Sequence, residues 1–273
     1  MKLSRSLCAS IVALAVAGSV QAADQSIIVQ STTSTANSGL YEYLLPLFQQ
    51  KTDIQVNVVA VGTGQAIKNA QNCDGDVLLV HAKASELDFV AAGYGTSRTD
   101  LMYNDFVIVG PDSDPAAVGG TKDAQAAFAK IAASGALFAS RGDDSGTHKK
   151  EKSLWAESGV DPSAASGQWY RETGSGMGAT LNAGIGMGAY VMTDRATWIS
   201  FGNKQDYKIQ VEGDDDLFNQ YGVIPVNPAK CPTAHVAAAK KFTDWLISDE
   251  GQGAIAAFEV GNQQLFFPNA PKN

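Results

Sequence analysis

From about residue 25 onward, short apolar runs rich in β-branched residues alternate with longer amphipathic stretches, and this alternation leaves the chain few architectures to choose from. Strand-sized runs separated by helix-sized crossovers make βαβ units, in which parallel strands are covered by their connecting helices. The pattern predicts strands over 26–30, 54–61, 76–80, 103–110, 136–140, 189–193 and 223–226. Helices are predicted over 39–51, 64–72, 85–92 and 121–134, then up to Ser158 just before Gly159, then over 194–201. Two more fall between 235 and 258, with a break near Gly251. The run over 76–80 is apolar throughout, which suits the centre of a sheet buried on both faces.

Two of these strands can carry the chain between separate bodies. The strand over 103–110 is the first exit from an opening lobe, and 223–226 can return to it. The expectation is an α/β fold of two lobes, each a mostly parallel sheet flanked by helices, with two hinge crossovers and a cleft between. One lobe would hold 23–105 and 224–273, the other 106–223. Clefts between domains are preferred ligand sites. There is no internal repeat and no low-complexity linker.

The segment before this pattern reads as a removable address. Lys2 and Arg5 precede an apolar run from Leu7 to Val16, and Val20-Gln21-Ala22 offers small residues at a cleavage site near Ala22 or Ala23. Residues 1–22 are therefore expected to be a signal peptide, since the apolar run is far shorter than the roughly 20 residues a bilayer needs. Arg5 spoils the approach to Cys8 as a lipid-attachment cysteine, so a soluble periplasmic product is expected. Processing removes Lys2 and Arg5 and leaves 18 basic against 28 acidic side chains, about −10 overall. Such a balance offers nothing to a nucleic acid. It does not exclude an anionic ligand, because charges more than about 8 Å away are screened at physiological salt.

Two cysteines remain, Cys73 and Cys231, both in loop-like surroundings and bound for a compartment where disulfides persist. A disulfide between them and a pair of free thiols both stay open, while a metal pair lacks neighbouring ligands at zinc spacing. His81, His148 and His235 are scattered without ligand spacing, so no metal or other cofactor is expected. No nucleophile, base and orienting acid can be assembled either, and the expectation is a binding protein and not an enzyme.

The polar chemistry concentrates where strands meet helices. Ser31-Thr32-Thr33-Ser34-Thr35 puts five hydroxyls in a row at the end of the first strand. Gly62-Thr63-Gly64 makes a backbone-rich turn at the end of the second. Arg141-Gly142-Asp143-Asp144-Ser145-Gly146-Thr147 joins another strand to another helix: Arg141 can give a forked, permanent positive contact, Ser145 and Thr147 add hydroxyls, and Gly142 and Gly146 allow close backbone approach. Asp143 and Asp144 cannot both face a bare anion, so one of them is expected to orient Arg141 or cap the loop. Arg171, in a glycine-rich stretch to Gly178, offers a second cation. Together these residues describe an anion site built from neutral donors and one or two arginines. Asp76 could accept a proton from a ligand if it faced the cleft, but its place at the start of an apolar run favours a structural role.

The segments Ser31 to Leu40, Val61 to Ile67, Asp76 to Ala82, Ser140 to Glu151, Trp169 to Leu181 and Tyr190 to Trp198 resemble the periplasmic tungstate-binding proteins of tungstate ABC importers. The similarity spans nearly the whole chain after the signal segment, and the Arg141–Thr147 loop is also similar to that of phosphate-binding proteins. The resemblance implies a type II periplasmic-binding-protein fold, a monomer, in which Thr32, Thr33 and Ser34 from one lobe close with Arg141, Ser145 and Thr147 from the other over a tetrahedral oxyanion. Thr63, Gly146 and Arg171 join that expected set. It further implies delivery of tungstate to the membrane subunits of an ABC permease; molybdate, vanadate or phosphate in the same fold is the alternative, and an exported phosphate-ester hydrolase a more distant one. Ser31 stands where the family often has threonine, and Cys73 and Cys231 where glycine and histidine are usual. Two departures that are both cysteines sharpen the expectation of a disulfide.

Overall fold

A computed structural model describes residues 26–271, and the expected signal segment lies outside the described residues. The first half of the chain runs β1 (Ser26–Thr32), α1 (Thr33–Asn37), α2 (Leu40–Thr52), β2 (Gln55–Val61), α3 (Thr63–Gln71), β3 (Val77–Val80), α4 (Lys83–Ala91) and β4 (Thr99–Pro111). It continues through α5 (Ala124–Ser134), β5 (Phe138–Ser140), α6 (Gly146–Glu157), β6 (Tyr170–Glu172), α7 (Met177–Met187), β7 (Tyr190–Asp194), α8 (Arg195–Ser200), β8 (Tyr207–Val211) and β9 (Phe218–Pro225). The C-terminal part adds α9 (Val236–Ile247), α10 (Asp249–Ala257) and three two-residue strands, β10 (Glu259–Val260), β11 (Gln263–Gln264) and β12 (Phe267–Pro268).

One strand order, β2-β1-β3-β9-β4-β7-β5-β6, threads both halves. β1 pairs in parallel with β2 and β3, and β5 in parallel with β6 and β7, as βαβ units require. The crossing strands are the exception: β9 runs antiparallel to β3 and β4, and β4 antiparallel to β7 and β8. β4 changes partners part-way along. Residues Thr99–Asp105 face β9, while Phe106–Val109 face β7. Thus β4 belongs to both halves, and its change of partner at Asp105/Phe106 marks the hinge line.

Apolar side chains collect on either side of that line. Ile27, Val29, Leu44, Phe48, Val77, Phe242 and Leu246 form part of one core, with a satellite around Leu78, Val80, Phe89 and Ile224. Phe106, Phe128, Phe138, Trp155 and Tyr190 centre another, with Val107, Leu181 and Val191 on the opposite face of the sheet. Ala196 of α8 packs into the first of these cores, while Trp198, two residues on, packs with Val107, Leu181 and Val191.

Several elements escaped the sequence pattern. α7 lies in a stretch so rich in glycine that it reads as a loop, yet Met177, Thr180, Leu181, Gly184 and Ile185 make a buried stripe at helical spacing. Gly184 is required there, since a Cβ would overlap the Val191 side chain of β7. The hydroxyl run contains α1, a short helix. The C-terminal helices break at Ser248, which ends α9 and caps α10 by accepting from Gly251 N at 3.3 Å. Gly251 lies inside α10, pressed onto the Trp245 carbonyl with no room for a Cβ.

Cys73, just beyond α3, is bonded to Cys231 in the loop between β9 and α9, with Cα atoms 5.2 Å apart. The bridge spans 158 residues and ties the early part of the first half to its late-returning part. Asp76 works in the same place. Its carboxylate accepts from Ile28 N at 2.7 Å and His235 N at 2.6 Å, so it fastens β1 to the entrance of α9. Replacing both cysteines with serine is expected to lower unfolding free energy by about 2–5 kcal/mol, because so long a loop is freed in the unfolded chain. Chemical denaturation of the variant and the oxidised wild type measures this, and ligand affinity should be unchanged.

Candidate functional site

Five strand ends converge at the cleft: those of β1, β2, β3, β5 and β7. Of the five consecutive hydroxyls, Ser31 turns away from the group. It donates to Leu79 O at 2.8 Å and so receives the proton of Tyr41 OH at 2.5 Å, a packing role. Thr32 caps α1 by accepting from Thr35 N at 3.3 Å. Its hydroxyl also lies 2.7 Å from that of Thr35 and 3.1 Å from that of Ser34. Thr32, Ser34 and Thr35 are all buried, whereas Thr33 is partly open.

The second contribution comes from the turn between β5 and α6. Arg141 is 1% exposed, an unusual position for a guanidinium. Its Nη2 donates to Asp143 Oδ2 at 2.6 Å and to Thr33 Oγ1 at 3.3 Å. Nε and Nη1 have no partner among the described residues, although both are buried. Thr147 Oγ1, six residues on, is buried and unpartnered too. A buried donor left unmade is costly, about 1–3 kcal/mol and more for a charged one, so three in one loop point to a partner from outside the chain.

Across the cleft, Gly146 N donates to Thr63 Oγ1 at 2.8 Å. Thr33 and Thr63 therefore both accept, and their own hydroxyl protons are left to give. Glycine allows the approach: a Cβ on Gly146 would sit 3.1 Å from Thr63 Oγ1, and one on Gly64 would overlap the Asp144 carboxylate. Ser145 caps α6 by accepting from His148 N at 3.2 Å, again leaving a proton free.

Of the two aspartates in the loop, Asp143 orients Arg141 and accepts from Ser145 N at 3.2 Å, while Asp144 turns outward and pairs with Lys149 at 3.4 Å. Asp144 takes a left-handed conformation, φ +57°, and so does Gly142, φ +61°, directly after Arg141. The base of the loop is fixed by Ser140, whose hydroxyl donates to Glu151 Oε2 at 2.8 Å and accepts from Gly142 N at 3.3 Å. Glu151 also receives Tyr170 OH at 2.7 Å and Trp155 Nε1 at 3.1 Å. Complete burial pushes its carboxyl up to about 7 in spite of these donors.

The structure thus brings together Thr32, Thr33, Ser34, Thr63, Arg141, Ser145, Gly146 and Thr147. Arg171 is not among them: it stands exposed on β6, a strand at the sheet edge, where its charge remains hydrated. His81, which lacks any motif, belongs to the cluster instead. It follows β3 directly, and its Nε2 lies 3.2 Å from Thr32 Oγ1 and 3.1 Å from Ser34 Oγ. Its position at the end of a wholly apolar strand, beside two other hydroxyl-bearing strand ends, is the sequence signal that could have found it. Among the described residues no group of three or more His, Cys, Asp or Glu could hold a metal ion, and no helix is long and apolar enough to cross a membrane.

Over most of its length the chain is similar to known proteins. Residues 17–250 match the model of the PBP superfamily domain. The chain is 48% identical over 251 residues to the tungstate-binding protein TupA of Peptoclostridium acidaminophilum, covering 90% of this chain and 87% of that protein. A solved structure of the tungstate-binding protein TupA from Desulfovibrio alaskensis G20 is 50% identical with a TM-score of 0.75, covering 90% of this chain and 99% of the other. A solved structure of the tungstate ABC transporter from Geobacter sulfurreducens is 46% identical with a TM-score of 0.78, covering 85% and 98%.

The raised carboxyl of Glu151 carries a prediction. Its folded value, about 7, lies above the ordinary 4.5, so its contribution to stability is full below the ordinary value and is lost as pH rises through about 7. Relative to Glu151→Gln, the wild type should lose roughly 3 kcal/mol of stability between pH 4 and pH 8. Urea unfolding of both proteins across that range measures the difference, and a constant gap would show that the Glu151 carboxyl titrates in the folded protein as it does in the unfolded chain.

Proposed function

This chain belongs to the PBP superfamily, and from that membership we propose that it captures tungstate between its lobes and hands it to an ABC-type permease. The architecture is the two-lobed type II periplasmic-binding fold, and its relatives are transporter binding proteins and not enzymes. In this reading the signal segment is cleaved near Ala22, the mature monomer works in the periplasm, and the lobes, 23–105 with 224–273 and 106–223, close on the ligand.

Thr32, Thr33, Ser34, Thr63, Arg141, Ser145 and Thr147 are the proposed contacts, with Gly146 letting the lobes meet. Arg171 is left out because it is exposed on the edge strand. The observation that carries the reading is the state of Arg141. A cation 1% exposed, with two nitrogens unpartnered among the described residues and one carboxylate on the third, is arranged for an incoming anion. The proposed contacts are hydroxyls and a guanidinium, with no carboxylate among them. Asp143 is engaged by Arg141, and Asp194, buried at the end of β7, is engaged by Thr197 N at 2.8 Å and Thr197 Oγ1 at 2.7 Å. A lining of donors with its carboxylates occupied favours an oxyanion that carries no proton, as tungstate does at neutral pH, over hydrogen phosphate.

Calorimetry against tungstate, molybdate, vanadate, sulfate and phosphate tests the assignment. Tungstate should bind most tightly and raise the unfolding temperature most. Tight phosphate binding without a tungstate response would overturn it. Arg141→Ala should weaken tungstate binding about 10- to 150-fold with an unchanged circular dichroism spectrum, the loss expected of a charged hydrogen bond; undiminished affinity would remove Arg141 from the site.

A further inference from the structure

His81 occupies the floor of the cleft, 6% exposed, between two sets of partners. On one side, Nδ1 lies 2.9 Å from Asn219 Oδ1. Asn219 Nδ2 in turn donates to Asn104 Oδ1 at 2.7 Å. Asn219 turns its oxygen to the ring and its amide nitrogen to Asn104, so Nδ1 must carry the proton. Neutral imidazole then has a bare lone pair at Nε2, and among the described residues its hydrogen-bond partners are the hydroxyls of Thr32 and Ser34. The ring is held in this plane by Tyr221, stacked at 4.7 Å between centroids and 23° between planes.

The proton count follows. Thr32 and Ser34 hold two hydroxyl protons and face one lone pair. One proton goes to Nε2, and with the Thr35 hydroxyl, 2.7 Å from Thr32, donating to Thr32, the other hydroxyl is left to donate elsewhere. Without that commitment the lone pair would itself be an acceptor turned toward the ligand, and a bare oxyanion would meet a repelling nitrogen. The same chain of contacts leads outward. Asn104 and Asn219 are register partners on β4 and β9, one residue short of the point where β4 changes partners.

We propose that His81, held as the Nδ1–H tautomer by Asn219, is a positioning residue of the anion site: its Nε2 takes one hydroxyl proton from the Thr32/Ser34 pair, directs the other toward the oxyanion, and couples that pair to the hinge strands through Asn219 and Asn104. The inference rests on the oxyanion reading of the site. Its surroundings keep the ring neutral at physiological pH. Arg141 faces it from the β5–α6 turn, and Lys83, Lys149 and Lys150 line the recess it shares with Phe106 and Phe218, a recess with no carboxylate among its described lining residues. Burial first, with the Arg141 charge adding, holds the imidazole down to about 4 against the Asn219 bond.

Nitrogen-15 NMR of histidine-labelled protein reads the tautomer directly. The His81 signal, identified by its loss in His81→Gln, should show an imine-type Nε2 and an amine-type Nδ1 with and without tungstate. An amine-type Nε2 would overturn the proposal whatever the ligand is. Tungstate affinity supplies the second reading: His81→Leu should weaken it tenfold or more, and His81→Gln, which restores an acceptor near the hydroxyls, should recover most of the loss. Asn219→Asp, which supplies a charge to hold an imidazolium, should make affinity depend on pH between 5 and 8 where the wild type is flat. Equal affinity in wild type and His81→Leu, or a flat Asn219→Asp profile, would reject the positioning role. Failure of wild-type protein to bind tungstate would instead reject the ligand assignment and leave the tautomer result standing.

Discussion

A guanidinium buried in the floor of a cleft is expensive to hold, and much of the surrounding structure follows from the need to hold Arg141 there. A lone ion in a low-dielectric interior is unstable, so Asp143 pairs with one of its nitrogens and Thr33 meets the same nitrogen from the opposite lobe. The turn that supplies both Arg141 and Asp143 must be tight, which accounts for left-handed residues at Gly142 and Asp144. Beneath it, Ser140, Glu151, Tyr170 and Trp155 form a buried polar group that anchors the strand end from below. Thr173 N adds a bond to Ser140 O at 2.9 Å and Ser175 N one to Arg141 O at 3.2 Å, so the glycine-rich stretch after β6 braces the same turn. Its arginine is not required for this. The stretch serves through its backbone, which is why Arg171 can sit outside the site.

The lobes meet through short residues because a larger one would hold them apart. Gly64 faces Asp144, Gly146 faces Thr63 and the His81 carbonyl, and Gly176 approaches Thr33 Oγ1 to 3.3 Å from a built Cβ. Around this close centre lie longer contacts, such as Lys149 Nζ reaching Ser85 Oγ at 3.4 Å. Two continuous crossing strands, β4 and β9, leave few soft torsions for relative motion of the halves, and they pair with each other through Asn104 and Asn219 at the hinge line. Geometry at the hinge and geometry at the ligand hydroxyls are thereby joined through one histidine.

How much of this was legible beforehand divides along physical lines. Apolar periodicity is a local property, so the strands of the first half, the long crossing strand and most helices could be read directly, with ends off by a few residues. The hydroxyl run and the Arg141 loop were visible because their chemistry is concentrated in consecutive residues. α7 was hidden because Gly184 answers to Val191 across the fold and not to local helix preference. Antiparallel pairing of β4 with β7 and β9 was hidden because crossover topology is not written in any one strand. The placement of Arg171 and His81 was hidden for one reason: where a side chain lies relative to the cleft depends on where its strand lies in the sheet, and β6 is an edge strand while β3 is central.

The donor character of the site has a further physical consequence. Each hydroxyl can donate once, and several of those near the cleft have already accepted: Thr32 from Thr35 N, Thr33 from Arg141, Thr63 from Gly146 N, Ser145 from His148 N. Accepting a proton from one side leaves a hydroxyl's own proton as its natural contribution on the other, and hydrogen-bond chains of this kind strengthen each link. The same logic runs through Thr197, whose single proton lies within reach of both Asp194 Oδ2 and Ser34 O. Burial raises the Asp194 carboxyl to about 6, opposed by Thr197 and by the Arg141 charge, so below that pH it takes a proton from solvent that it can donate to Thr197 Oγ1. When Asp194 holds it, Thr197 is free to donate to the Ser34 carbonyl and draw α8 onto α1. An anion site assembled from neutral hydroxyls therefore depends on the few groups that settle the direction of those protons, and here these are Arg141, His81 and Asp194.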